Sequence, residues 1–278
     1  MKKCLFTTIF LINILQVCGQ GIDSWGYING LRLDVLQSQY HEYFYKKRND
    51  TMLWSKMLSN CDSLIKNDTF IYKAIGLHYK GLIHMFKDTA RARALFFESI
   101  KVNPEIFDNY FKITVLDEQL YGYGRASAQR VKIWQTAVQN YKQLLSEDSS
   151  KALLWFNYGK SLKQYGVYGK NKKLKDSGLK YIRHAACLDS MQADYWFEIG
   201  IDSKQSDSIV YYLMKTFNLT SNKEGIALVI YNQLINKNKD YEKTRQLIDK
   251  WREDYPDNEY YLELSNRLAI LEKKKPTK

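Results

Sequence analysis

Proline is scarce in this chain, and alternating strand patterns are missing. Only three prolines occur in 278 residues. Runs of alternating polarity bounded by turn pairs are absent, which argues against a sandwich or barrel of short strands. Leu, Ile, Tyr and Lys are plentiful instead. The composition therefore favours an all-helical protein in which the many aromatic side chains fill gaps between helices.

The short motifs that mark common catalytic sites are also missing. There is no CxxC pair and no GxSxG turn. The glycine-rich stretch Tyr121-Gly122-Tyr123-Gly124 follows a helical pattern, not a strand, which predicts a turn. Adjacent acids such as Asp117-Glu118 point to different sides of a helix, so they cannot act as an acid–base pair. We therefore predict that the protein is not an enzyme and uses no cofactor.

The histidines do not form a metal-binding pattern. The chain contains His41, His78, His84 and His184. His78 and His84 are six residues apart, which places them on different helix faces, whereas a helical metal pair needs the i, i+4 spacing. The sequence predicts ordinary surface or hydrogen-bonded histidines and no metal site.

The first residues have the pattern of a cleaved secretory signal. Lys2-Lys3 precedes an apolar run from Cys4 to Val17, and Val17-Cys18-Gly19 offers a cleavage site. We predict a signal peptide over residues 1–19 and an exported protein, periplasmic or secreted. Two alternatives are a permanent membrane anchor, for which the run is short, and a lipoprotein signal, Leu15-Gln16-Val17-Cys18, that would acylate Cys18.

The chain is strongly basic. Its formal charge is +12, and cleavage after residue 19 removes Lys2 and Lys3 and no acids, which leaves 12 − 2 = +10. Such a charge favours anionic partners or surfaces. The basic residues are dispersed except in short groups such as Lys170-Asn171-Lys172-Lys173, so a solvated face is the simplest explanation.

Residues 151–200 contain a helical spacing that begins twice. Trp155, Tyr158, Gly159 and Leu162 fall at i, i+3, i+4 and i+7, which is one face of a helix. A second helix carries Gly178, Ile182 and Ala185 on its close-packed face. The opening spacing then returns with Trp196, Ile199 and Gly200. Two helical patterns, followed by the return of the first pattern, predict a repeating pair of helices.

An offset of six residues links successive copies of the pair. It joins the residue that closes one copy to an aromatic residue near the start of the next: Pro104 to Tyr110, Ser149 to Trp155 and Ser190 to Trp196. The copy at residues 72–104 is the cleanest. The positions equivalent to the first glycine are Gly76, Thr114, Gly159 and Gly200, where a small residue lets two helices approach closely.

This pattern resembles the tetratricopeptide repeat (TPR), whose signature is Trp, Leu-Gly and Tyr, followed by a small residue, an aromatic residue, Ala and Pro. The resemblance implies an all-α fold, a right-handed α-solenoid of stacked antiparallel helix pairs. We predict one TPR-like domain over residues 20–278, with five to six helix pairs and a capping helix at 259–274 with a polar outer side. A short, degenerate pair is expected between Asp202 and Asn218.

The repeat spacing also bears on Cys61 and Cys187, which are the two cysteines outside the signal. They lie about three repeats apart, and a solenoid keeps such positions separate. We expect two unpaired thiols, both buried.

The resemblance further implies where a partner would bind. The first helices of the pairs line a concave groove, which should carry eight lysine and aromatic side chains: Lys73, Lys80, Phe111, Phe156, Lys160, Lys163, Phe197 and Tyr231. Such a groove suits an extended peptide with acidic or C-terminal carboxylate character. Some of these rings, Phe156 and Phe197 above all, have a simpler role as packing between helices.

The leading hypothesis is a non-catalytic exported scaffold that binds a protein or peptide, at a bacterial cell envelope. The alternative is binding of an anionic glycan or surface polymer through the basic face. We expect no nucleic-acid partner. The sequence leaves the partner's identity and the oligomeric state open.

Overall fold

The computed structural model describes residues 51–66, 69–85 and 87–273, and each regular element in these ranges is helical. The helices are α1 (Thr51–Ile65), α2 (Phe70–His84), α3 (Thr89–Val102), α4 (Phe107–Glu147), α5 (Ala152–Tyr168), α6 (Lys172–Leu188), α7 (Ala193–Asp202), α8 (Ser206–Leu219), α9 (Lys223–Asn232), α10 (Tyr241–Asp254) and α11 (Glu259–Lys273). A π-helical turn, Gln233–Asn238, continues α9. The predicted signal at residues 1–19, Cys18 and His41 lie outside the described residues.

The described residues form two compact units, one ending at His184 and the other beginning at Ala185. In the first unit α1 packs on α2, α2 on α3, α3 on α4, and α4 on α5. In the second unit α7 packs on α8, α8 on α9, and α10 on α11. Helices that follow one another through short turns and lie side by side are antiparallel. The all-α class and the TPR-like pairing of neighbouring helices are therefore confirmed, while the single domain over 20–278 stays a prediction.

Helix α4 doubles back on itself. A straight helix of its 41 residues would be about 60 Å long. Yet the ring centroids of Phe107 and Trp134 are 5.5 Å apart, and those of Tyr110 and Tyr141 are 6.1 Å apart. The helix thus has two antiparallel arms, a first arm that begins at Phe107 and a second arm that ends at Glu147. The chain reverses between Tyr110 and Trp134, but the residues Tyr121-Gly122-Tyr123-Gly124, for which the sequence predicts a turn, are themselves helical.

A repeated hydrogen bond explains the offset of six residues. In three copies an aromatic side chain on the fourth residue of a helix donates to the backbone carbonyl six residues earlier, in the preceding turn. The pairs are Trp155 with Ser149 at 2.8 Å, Trp196 with Ser190 at 2.8 Å, and Tyr110 with Pro104 at 3.3 Å. The side chain thus fixes the turn between two helix pairs, and the register predicted from the sequence is confirmed at all three places.

Gly159 and Gly178 bring α5 and α6 into backbone contact. A Cβ atom on Gly159 would lie 2.7 Å from the carbonyl oxygen of Gly178, and one on Gly178 would lie 2.5 Å from the carbonyl oxygen of Gly159. Any side chain at either position would push the helices apart. The predicted role of small residues at the touching positions is confirmed here.

The stretch after Gly200 differs from the prediction of a short helix pair between Asp202 and Asn218. The structure has one helix there, α8, which is the second helix of the pair that begins with α7. Only residues 203–205 separate α7 from α8, and they contain neither glycine nor proline. The usual sequence signals of an inter-helix turn are therefore missing.

Trp251 occupies a position where the repeat pattern calls for a small residue, and the second unit accommodates its ring. The indole lies between α8 and α11, stacked on Phe217 at 5.7 Å and close to Tyr261. Its side chain is fully buried. A large ring here fills space between three helices, so the packing is shifted and not loose.

The two cysteines are both unpaired, but they differ in exposure. Cys61 is buried on α1, and burial, followed by the nearby Asp62 carboxylate, raises the pKa of its thiol to about 12. Cys187 is exposed, so the expectation that both thiols are buried is wrong. Ala185 and Ala186 form the buried face of α6 at this point, and a step of one residue turns Cys187 by about 100° away from it.

None of the helices in the described ranges has the length and apolar character that crossing a bilayer requires.

Candidate partner-binding surface

Lys160 lies where the first helices of two consecutive pairs meet. Its Nζ is 4.7 Å from the ring centroid of Phe107 on the first arm of α4, and 5.0 Å from that of Phe156 on α5. Both distances are within the range of a cation–π interaction. Phe156 itself is only 5% exposed, so its ring packs between helices and presents little surface. The structure thus joins two of the predicted groove residues and adds Phe107, which the sequence did not single out.

The other predicted groove residues of the first unit are spread along α2, α4 and α5. Lys73 is exposed, and Lys80 is half-buried with its Nζ 2.6 Å from Asp62 Oδ1. Phe111 is half-buried against the core. Lys163 is only 7% exposed, and its backbone faces Gly178. Lys73 therefore offers the most accessible ammonium group of the predicted set in this unit.

A buried polar network lies beneath this face and links α2, α3 and α4. The His78 Nδ1–H donates to Asn109 Oδ1 at 2.8 Å, Asn109 Nδ2 donates to Ser99 Oγ at 2.9 Å, and Ser99 Oγ donates to the Ala74 carbonyl at 2.7 Å. Each of the three side chains is at least 98% buried. Because buried polar groups are costly unless paired, the chain of bonds fixes how these three helices meet.

One ring nitrogen of His78 remains without a hydrogen bond. Its Nε2 is buried and lies 3.8 Å from Asp108 Oδ2, beyond hydrogen-bond distance. Lys112 Nζ is 3.7 Å from the same carboxylate oxygen. Burial lowers the pKa of His78, while the Asp108 carboxylate opposes this effect. The neutral imidazole with its proton on Nδ1 is therefore the form that the fold favours.

An ion pair between a partly exposed arginine and a buried carboxylate stabilises the junction between α3 and α4. Arg93 Nε lies 2.5 Å from Asp117 Oδ1, and the Asp117 side chain is fully buried. The guanidinium also sits over the Phe97 ring at 4.7 Å. This ion pair could not be predicted from the sequence, because Arg93 and Asp117 are 24 residues apart in the chain. The pair serves structure, since Asp117 is closed off from solvent.

In the second unit the two predicted groove residues are mainly packing residues. Phe197 is half-buried against the hydrophobic cluster of that unit. Tyr231 is 6% exposed, and burial raises the pKa of its hydroxyl. The structure instead brings Lys215 over the ring of Trp196, with Nζ 3.8 Å from the ring centroid, and over Tyr211 at 4.7 Å. Lys215 is not predictable from the repeat spacing, because it lies on α8, where a different pairing of helices was expected.

No cluster of His, Cys, Asp or Glu in the described ranges has the arrangement of a metal site. The charged and aromatic groups on these helices are of the kinds that can bind or orient a partner. The paired helices, the recurring side-chain bond to the turn and the glycine contact define a TPR-like helical-repeat protein.

No protein-family model matches the chain, and no curated protein does so either. Among solved structures it is similar to the assembly chaperone of RpL4 (Acl4, residues 1–338), at 10% identity over 84% of this chain and 94% of that one, with a TM-score of 0.43. It is also similar to yeast Tom70, at 11% identity over 91% of this chain and 67% of that one, with a TM-score of 0.36. A MamA RS-1 ArsTM double mutant gives 12% identity over 68% and 95% of the two chains, with a TM-score of 0.35. At these scores the description of the fold rests on the helix contacts given above.

Proposed function

We propose that this chain is an exported, non-catalytic scaffold that binds a protein or peptide partner on the groove face of its first unit, at a bacterial cell envelope. The observation that carries the proposal is the position of Lys160, whose ammonium group spans aromatic rings from two consecutive helix pairs. A face that combines lysines with aromatic side chains on adjoining helices suits an extended segment that carries carboxylates.

Lys73 strengthens this proposal. Its side chain is exposed on α2, and within the described ranges no ion pair engages its ammonium group. Lys112, by contrast, is largely buried against Asp108. An acidic partner would therefore meet Lys73 and Lys160 first. Exposed charges of this kind contribute to the rate and specificity of association more than to affinity.

The groove proposal is tested by affinity capture with the mature chain, residues 20–278, as bait in an envelope extract. The test bait carries Lys73→Glu and Lys160→Gln. The matched control, with the same change in net charge, carries Lys132→Glu and Lys142→Gln, at two exposed lysines on the second arm of α4. We expect one stoichiometric protein that the wild-type and control baits retain and the test bait loses. Equal capture by all three baits would refute the assignment of the face.

Export is the part of the proposal that rests on the N-terminal sequence. Expression of the full chain followed by mass spectrometry of the exported product tests it. A mature N-terminus at Gln20 supports signal cleavage, and a lipid-modified N-terminal Cys18 supports the lipoprotein alternative. Retention of residues 1–19 on an unmodified chain would contradict both.

A second candidate function, binding of an anionic glycan or surface polymer, is favoured by the charge of α6. The segment 170–187 carries six basic side chains and one acid, Asp176. The basic residues are Lys170, Lys172, Lys173, Lys175, Lys180 and Arg183. Lys160 and Lys163 suit this function less well, because the first packs over rings and the second is buried. Salt-sensitive retention on an anionic matrix, lost when Lys173 and Lys180 are changed to Glu, is the expected result.

A further inference from the structure

An open cleft with an aromatic wall lies between α5 and α6 in the first unit. It has a volume of about 490 Å³ and is lined by Trp155, Ser177, Lys180, Tyr181 and His184. The four residues from α6 fall at i, i+3, i+4 and i+7, so they share one face of that helix. This volume is in the range of small-ligand sites.

The aromatic wall is built around Trp155. The indole stacks on the Tyr181 ring with a centroid distance of 5.4 Å and an interplanar angle of 14°. His184 meets the indole edge to face at 4.9 Å, and Tyr158 meets Tyr181 at 4.9 Å. The indole N–H is already engaged by the Ser149 carbonyl. The rings therefore hold each other in place and form a preorganised wall.

The cleft lies within the most basic segment described above. Lys180 lines it directly, and Lys173 is on the same stripe of α6, one turn before Ser177. Lys173, Lys180 and Arg183 are exposed, and within the described ranges none of them has an ion-pair partner. The cleft thus combines a fixed aromatic wall with ammonium, hydroxyl and imidazole groups that can hydrogen-bond to a ligand.

We propose that this cleft binds an anionic saccharide: one segment of a carboxylated polysaccharide, with its sugar ring against the Trp155–Tyr181 wall and its carboxylate at Lys173 and Lys180. The inference rests on the second candidate function and gives it a site. The apolar face of a sugar ring packs on an aromatic wall, while its hydroxyls need the donors and acceptors that Ser177 and His184 supply. A nucleobase could stack on the same rings, so the oligothymidylate in the test below distinguishes the two kinds of ligand.

The proposal is tested by isothermal titration of the mature chain with a galacturonic acid hexamer. Neutral maltohexaose and a twelve-residue oligothymidylate serve as comparison ligands. The variants are Lys173→Glu with Lys180→Glu for the charge, and Tyr181→Ala and His184→Ser for the wall. The control is Lys132→Glu with Lys142→Glu, which changes the net charge by the same amount elsewhere. Circular dichroism checks that each variant is folded.

We expect the hexamer to bind more than tenfold tighter than maltohexaose and to weaken as salt is raised. The double lysine variant should lose more than tenfold in affinity and the control less than twofold. Tyr181→Ala or His184→Ser, whichever is folded, should lose about fivefold, while the lysines that give the binding its salt dependence stay in place.

Each negative result of this experiment would contradict a different part of the proposal. If the wall variants bind the hexamer as tightly as the wild type, the cleft is not the binding site. The second candidate function would still stand. Equal losses in the double lysine variant and the control would show a response to net charge alone and overturn the site. Tighter binding of the oligothymidylate would identify a nucleic-acid surface instead. No saturable binding of the hexamer would overturn both the site and the second candidate function.

Discussion

A single methyl group at Gly159 tests the contact that holds α5 against α6. In Gly159→Ala the new Cβ would lie 2.7 Å from the Gly178 carbonyl oxygen and 2.9 Å from the Ile182 backbone nitrogen. Both obstacles are backbone atoms, so no side chain can rotate out of the way. A carbon–oxygen contact normally needs about 3.3 Å or more. The helices would therefore have to separate by roughly 0.6 Å.

The magnitude follows from two opposing effects. Forcing a methyl group into a closely packed contact costs about 1–3 kcal/mol, and we take about 3 kcal/mol because the obstacle is rigid. Replacing glycine by alanine inside a helix contributes about 1 kcal/mol in the opposite direction. The net loss is about 2 kcal/mol. In a chain of this size that corresponds to a fall in Tm of about 4–8 °C.

Thermal unfolding followed by circular dichroism measures this loss, with Gly178→Ala and Gly200→Ala beside it. Gly178→Ala meets the same contact from the other helix and should cost a similar amount. The double variant should cost less than the sum, because helices already separated accommodate the second methyl group. Gly200→Ala meets mainly the Leu213 side chain, so it should cost less than either. An unchanged or higher Tm in Gly159→Ala would refute the close contact.

Two further predictions concern polar groups. His78 should make the stability of the fold depend on pH. Burial lowers the pKa of His78 in the folded state, so the unfolded chain binds the proton at a higher pH than the folded chain does. Stability should therefore fall as the pH drops through about 6.5. Chemical denaturation between pH 8 and 5 should show this fall, and His78→Gln should reduce it; an equal fall in the variant would assign the effect to other groups. Trp155→Phe keeps a ring but removes the donor to Ser149, so it should cost about 1 kcal/mol in thermal or urea unfolding. Trp196→Phe should do the same at Ser190, and wild-type stability in both would argue against a role for the bond in fixing the turns.

The features that the sequence predicts well are those that recur at fixed spacing. The six-residue offset is visible in the sequence because one physical requirement, a donor that reaches the preceding turn, is met by Trp or Tyr each time. The pairing of Gly159 with a small residue on the next helix is predictable for the same reason. A contact that recurs in several copies of the repeat requires similar residues at a fixed spacing in the sequence.

Side-chain exposure on the groove face is less predictable, because it depends on the neighbouring helix. The repeat spacing places Lys160 and Lys163 on the same face, three residues apart. The structure leaves Lys160 half-buried across two rings and buries Lys163 where Gly178 draws α6 close. The network around His78 was equally hidden, since Ser99 and Asn109 come from different helices and neither has a distinctive spacing.

The position of the aromatic donor also shows which copies of the repeat are hard to recognise in the sequence. Trp155 stacks on Tyr181 and Trp196 on Tyr212, in each case a ring on the second helix of the same pair. In α11 the equivalent fourth position is Leu262, six residues after Pro256, and it is 47% exposed. Leucine cannot donate a hydrogen bond, and within the described ranges no second helix follows α11. The donor is also missing from α9, whose fourth residue is Ile226 although α10 follows it. A pattern based on the donor therefore finds only the copies that begin at α4, α5 and α7, whether or not a second helix follows.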